Sequence, residues 1–154
     1  MSVEFRLALA GVPPLSSGPV SIYGLYSGND GQSHLVALQI VGQGPPLQSP
    51  LPCLGWRPFQ CAPGHRQGRH PTPVAGVTFM LGGCMEIGVG GGLLQRIALQ
   101  PGDLLLVLDT RGEGHSTDIT GTDWLRTTGV SFAPTDWPAI RDAFQGWPDN
   151  LLPP

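Results

Sequence analysis

The chain contains no lysine: its positive side chains are all arginines, and charged residues make up 12% of its 154 residues, about half the usual share of roughly 25%. With a formal net charge of −3 it has no basic stripe to follow a nucleic-acid backbone, so nucleic acid is not an expected partner. Cysteine is scarce. Cys53, Cys61 and Cys84 are odd in number and form no CxxC pair, which argues against a disulfide framework and for a reducing compartment. No stretch approaches the ~20 apolar residues that span a bilayer. The start, "MSVEFRLALAGVPP", places Glu4 ahead of an apolar stretch too short for a signal peptide. The expectation is a cytoplasmic protein with no membrane partner. There is also no Gly-x-Ser-x-Gly elbow and no cysteine with an adjacent base, so nucleophilic catalysis has no support. "GVGGG" (88–92) lacks the Lys-Ser/Thr and the helix of a phosphate loop.

Glycine (23) and proline (17) are abundant. Between them lie apolar runs of period two, so they read as turn punctuation in an all-β domain. Strands are expected at 4–9, 20–27, 34–41, 56–62, 76–83, 84–90, 93–99, 103–109, 116–121 and 127–133. "SGNDGQ" (27–32) reads as a turn and "GVGGGLLQ" (88–95) as a hairpin loop, while "GQGPPLQSPLP" (42–52) has no apolar period. One helix is expected over 135–145. Thr135 or Asp136 can cap it, Trp137, Ile140 and Phe144 fall on one face, and Gly146 stops it. Many short strands with one short helix predict a β-sandwich or barrel in a single domain.

Residues 70–116, "HPTPVAGVTFMLGGCMEIGVGGGLLQRIALQPGDLLLVLDTRGEGHS", resemble a small single-domain cupin. The first half has a histidine, an apolar strand, a glycine, and a strand with Glu before a glycine hairpin. The second has Pro-Gly-Asp, an apolar strand and a loop ending in His. "NDGQSH" (29–34), "APG" (62–64) and "LDTRGEGH" (108–115) are similar to elements of a group of short bacterial cupins, so the resemblance spans about 20–133. It implies a jelly-roll β-barrel covering 1–154, with the short helix near its end and the 109–115 loop returning across the barrel mouth. Small cupins commonly pair through barrel faces, so a homodimer is expected, with the apolar strand at 4–9 able to cross to a partner.

Metal-binding cupins resemble H-x-H-x(3,4)-E-x(6)-G with a later histidine. Laid on this chain with Gly83 as the final glycine, the pattern puts His70 on the first histidine, Thr72 on the second, Gly76 on the glutamate and His115 on the late histidine. Two imidazoles without the carboxylate make a poor site for a divalent metal, and His65, His34, Glu86 and Glu113 are replacement ligands without favourable spacing. No cofactor is expected. His34 reads as a surface residue ahead of a strand.

His115 is the principal catalytic candidate, because Gly112 and Gly114 let the backbone turn it inward. Asp109 either orients it as a carboxylate–imidazole pair or makes an Asx turn to the amide of Arg111. His70 either assists or sits exposed on the rim. Arg57, Arg66 and Arg69 form either an anion-recognising rim or ordinary solvated charge. Trp56, Phe59, Phe79, Met80 and Met85 are candidates for an apolar lining, although alternation must send part of that set to the other face. Substrate contacts are thus expected from Trp56, Arg57, Arg69, Phe79 and Met80. The expected activity is metal-independent proton transfer on a small, partly apolar metabolite, of isomerase, cyclase or lyase type. The alternatives are a metal-dependent oxygenase or lyase using His70 and His115, and a non-catalytic small-molecule binder.

Overall fold

The computed structural model describes residues 20–41, 51–149 and 151–154. The strand expected at 4–9, with its crossing to a partner, and most of the 42–52 excursion lie outside these residues. Every strand expected between 20 and 133 forms, with ends shifted by a few residues: β1 (Ile22–Ser27), β2 (Ser33–Ile40), β3 (Gly55–Cys61), β5 (Gly76–Gly82), β6 (Cys84–Gly88), β7 (Arg96–Leu99), β8 (Leu104–Leu108), β9 (His115–Thr120) and β10 (Leu125–Ser131). Two were not expected. β4 (Arg66–His70) reads "RQGRH" and is almost wholly exposed, so no apolar period marks it. β11 (Phe144–Gln145) pairs with Ile40 and Gln39 of β2.

The pairing is nested. β6 pairs antiparallel with β7, β5 with β8, β4 with β9, and β3 with β10. One long double ribbon is thereby folded over itself into two sheets, of order β11-β2-β1-β8-β5-β10-β3 and β4-β9-β6-β7. This is the jelly-roll arrangement, and the expected all-β barrel with one short C-terminal helix is the fold observed. β1 joins the larger sheet parallel to β8 and brings β2 with it. β3 and β4, joined by the turn at 62–65, are edges of different sheets and leave a seam between them. Pro58, which has no amide hydrogen to donate, sits in mid-strand on β3, where an edge tolerates it.

Alternation along the strands builds two cores. Leu25, Met80, Met85, Ile87, Leu105 and Ile119 pack between the sheets. Ile22, Tyr26, Leu106, Leu108 and Phe132 face the other side of the larger sheet, where Trp137 and Ile140 cover them. Gly24 permits this cover, because a Cβ there would collide with the ring of Trp147. Trp147 in turn meets Trp137 edge-on at 5.3 Å between centroids.

The helix differs from expectation at both ends. A 3-10 turn (Pro134–Asp136) leads into α1 (Trp137–Asp142). The amide of Trp137 bonds the Pro134 carbonyl, Asp136 is itself helical, and its side chain makes no cap bond. Phe144 belongs to β11, because the chain leaves the helix at Ala143 to pair with β2. No helix of the described residues is long and apolar enough to cross a membrane.

His34 is not a surface residue. Its side chain is only 14% exposed, its ring stacks on Tyr26, and Nε2 lies 2.9 and 3.0 Å from the Asp30 carboxylate oxygens. That hydrogen bond, with a second from the Gln32 amide, holds the Asp30 carboxyl below its ordinary range. Burial, reinforced by the Asp30 charge, raises Tyr26.

Leu106 is fully buried in the outer core. Leu106→Ala is expected to lower unfolding free energy by about 2–5 kcal/mol, read as a reduced urea midpoint at unchanged slope.

Candidate functional site

The two sheets enclose a cavity of about 680 Å³. Most of its wall repeats every second residue, as pleating requires: Leu105 and Val107 on β8, Thr117 and Ile119 on β9, Thr127, Gly129 and Ser131 on β10, and Arg57, Phe59 and Cys61 on β3; where β3, β5 and β10 meet, Trp56, Val77 and Val130 line it as well. His70 and His115 stand at one end of the smaller sheet, directly opposite each other in the β4–β9 register, with ring centroids 4.7 Å apart and planes inclined at 48°.

His115 is held from behind. It is 6% exposed, and its Nδ1–H donates to Asp109 Oδ2 at 2.8 Å. Asp109, at the end of β8, is completely buried. The same Oδ2 accepts from Ser33 Oγ at 2.8 Å, and Oδ1 accepts from Thr72 Oγ1 at 2.9 Å. The carboxylate therefore has three donors, which offsets the cost of taking it out of water. Of the two readings open for Asp109, the structure has the carboxylate–imidazole pair and not the Asx turn. The Arg111 amide goes to Ser27 Oγ instead. His70 donates from Nδ1 to the Gly68 carbonyl at 2.8 Å. Both imidazoles thus commit Nδ1 and leave Nε2 without a partner among the described residues.

Glycine shapes the approach to this pair. Gly114 has φ +75°, and a Cβ there would land on the backbone carbonyl of His70. The Thr72 amide bonds the Asp109 carbonyl and the Glu113 amide bonds that of Gly31, so the 109–115 loop is fixed from both sides.

The substrate-contact candidates separate. Trp56 and Arg57 line the cavity, as do Phe59 and Met85. Arg69 does not, because it pairs with Glu113 at 3.0 Å on the rim. Phe79 does not either. The β5–β8 register sets Thr78 opposite Leu105 and Phe79 opposite Leu104, so Phe79 shares the outward face of the larger sheet. Met80 points between the sheets but is buried in the core and is not part of the wall. Arg66 stands beside the cavity-lining Gln67 on the alternate face of β4, opposite Asp118. The three-arginine rim therefore reduces to Arg57. Residues not singled out from the sequence also line the cavity, among them Gln67, Thr78, Thr117 and Thr127. Short polar side chains on strands carry no signal until their register is known.

The residues present do not fit the cupin metal pattern. Thr72 spends its hydroxyl on Asp109. At Gly76 a Cβ would lie 2.6 Å from the Val130 carbonyl oxygen, so no ligating side chain can stand there. Of the replacements, Glu86 pairs with Arg96 at 2.7 Å, Glu113 with Arg69, and His34 with Asp30. His65 lines the cavity. Among the described residues no group of three His, Cys, Asp or Glu side chains is placed to hold a metal ion.

No protein-family model and no curated protein matches the chain. Among solved structures it is similar to a Cupin 2 conserved barrel domain protein from Salinispora arenicola, at 16% identity and TM-score 0.40 over 69% of this chain and 82% of that one. It is similar to the cupin domain of Schizosaccharomyces pombe Cnp3, at 14% identity and TM-score 0.41 over 70% and 68%. It is also similar to a conserved protein of unknown function from Streptococcus pyogenes, at 16% identity and TM-score 0.39 over 64% and 75%.

Gly114→Ala is expected to cost more than about 1 kcal/mol, since the alanine meets both a left-handed backbone and the His70 carbonyl. Chemical denaturation checks the energy, and a shift in the His115 ring resonances checks that the pair has moved.

Proposed function

We propose that the chain is a small cupin enzyme that moves a proton on a small, partly apolar organic molecule held in the barrel, with His115 as the acid/base group. The observation that carries this reading is the Asp109–His115 pair. A buried carboxylate on Nδ1 fixes the tautomer and leaves the Nε2 lone pair of a cavity-lining imidazole unengaged. His115 Nε2 takes a proton from a carbon next to a carbonyl, and the C–H electron pair moves into the carbonyl as an enolate. In a β,γ-unsaturated carbonyl compound the imidazolium, stabilised by Asp109, returns the proton at the γ carbon and the double bond moves into conjugation, whereas return at the same carbon regenerates the substrate and is visible only as exchange. The step is an isomerisation. It consumes no oxidant and needs no further reactant.

His70 packs beside His115 and limits its tilt. Phe59, Ile87, Leu105 and Val107 give the cavity an apolar wall for the body of the substrate.

The test is hydrogen–deuterium exchange in D2O, followed by proton NMR, on a panel of small ketones and organic acids. At least one compound is expected to exchange faster with the protein than without it. His115→Gln, which keeps a hydrogen bond but cannot carry the proton, is expected to lower that rate roughly 10²–10⁴-fold. Asp109→Asn should lower the rate while leaving half-saturation nearly unchanged, because it acts on the imidazole and not on the ligand. Exchange by His115→Gln as fast as by the unmodified protein would sink the assignment and leave a binding role.

A further inference from the structure

The electrical character of the cavity says what kind of molecule it takes. The ionisable side chains of its wall other than the Cys61 thiol are Arg57 on β3, His65 in the turn before β4, His70 on β4 and His115 on β9. No aspartate or glutamate belongs to that wall. The nearest carboxylate in the hydrogen-bond network, Asp109, stands behind His115 and is already committed to three donors. Arg57 has no ion-pair partner among the described residues, whereas Arg69 and Arg96 have theirs.

The surroundings of Arg57 give the guanidinium room to reach inward. Its cross-strand neighbour on the same face of the sheet is Gly129. A Cβ built at Gly129 would meet only the Arg57 carbonyl oxygen, at 3.8 Å, so the space beside the arginine is empty. Ser131 and Thr127 flank that gap on the same face and place hydroxyl groups on either side. The registers also fix where along the barrel this happens. Arg57, Gly129, Thr78 and Leu105 follow one another across the larger sheet. Gly55, Ser131, Gly76 and Val107 form the next row, toward the end where β8 runs into Asp109. Arg57 is therefore one cavity-facing position in from the end that holds His70 and His115, on the opposite sheet.

We infer that the ligand of this cavity is an organic carboxylate, its acid group taken by Arg57 and its apolar body laid against Phe59, Ile87, Leu105 and Val107. The inference deepens the proton-transfer reading and rests on the same cavity. A guanidinium pairs with a carboxylate through two parallel hydrogen bonds, and a cavity without an acidic wall offers nothing to repel that charge. Anchoring the acid on β3 holds the carbons of the ligand between the two sheets, facing the imidazoles.

Isothermal titration calorimetry with matched probes tests this: 3-phenylpropionate against 3-phenylpropionamide, and hexanoate against hexanamide. The unmodified protein is expected to bind each acid at least tenfold more tightly than its amide. Arg57→Gln, an exposed position on an edge strand, should lower acid affinity roughly 10–100-fold, the worth of a charged hydrogen bond, and abolish the preference for acid over amide. His115→Gln should keep the preference. Equal binding of acid and amide, no binding of either acid at millimolar concentration, a preference that survives Arg57→Gln, or one that vanishes in His115→Gln would each overturn the inference. Intact acid preference without any His115-dependent deuterium exchange would sink the catalytic reading alone and leave the carboxylate assignment standing.

Discussion

The buried carboxylate of Asp109 is what the functional end of the barrel is assembled around. An ionised group with no solvent contact is tolerated only when its acceptor positions are filled. Here they are filled from three places far apart in the chain: Ser33 at the start of β2, Thr72 between β4 and β5, and His115 at the start of β9. The backbone of the same residue adds a fourth tie, its carbonyl to the Thr72 amide. The constraint runs both ways. The strands must converge to satisfy the carboxylate, and once they have converged the imidazole has a single orientation.

That orientation organises the cavity along its length. The wall carries His70 and His115 at the Asp109 end, Arg57 level with Leu105, and His65 beside Ile119, while Leu105, Ile87, Met85 and Ile119 are continuous with the core. Outside the larger sheet a second core under α1 and Trp147 backs β2, β1, β8 and β5, while β3, with Arg57, lies at the edge beyond it.

Much of this was legible in the sequence. Pro-Gly-Asp before an apolar run pointed to a strand, and the resemblance to small cupins implied that the 109–115 loop returns across a barrel mouth. Asp109 was only half legible, because Ser33 and Thr72 are 76 and 37 residues away from it, and the local Asx alternative needs nothing but neighbours. The facing of β5 was not legible for a different reason. The larger sheet is covered on both sides, so Val77 and Phe79 on one face and Met80 on the other are all hydrophobic, and alternation carries no contrast. β4 failed in the opposite way: "RQGRH" offers no apolar face, and it is held by backbone pairing to β9, the Arg69–Glu113 ion pair and the His70–His115 contact. His34 looked exposed because its partner Asp30 and its stacking surface Tyr26 meet it only once the β1–β2 turn has closed.

The seam between β3 and β4 has a kinetic consequence. Among the strands that line the cavity these two alone have one bonded neighbour each, and both are largely exposed. Segments with few buried contacts and unpaired edges open at a free energy well below that of global unfolding. The β3–turn–β4 segment is therefore the cheapest wall of the barrel to lift. Because that segment carries both Arg57 and His70, lifting it would take one cationic group and one imidazole of the cavity wall away together.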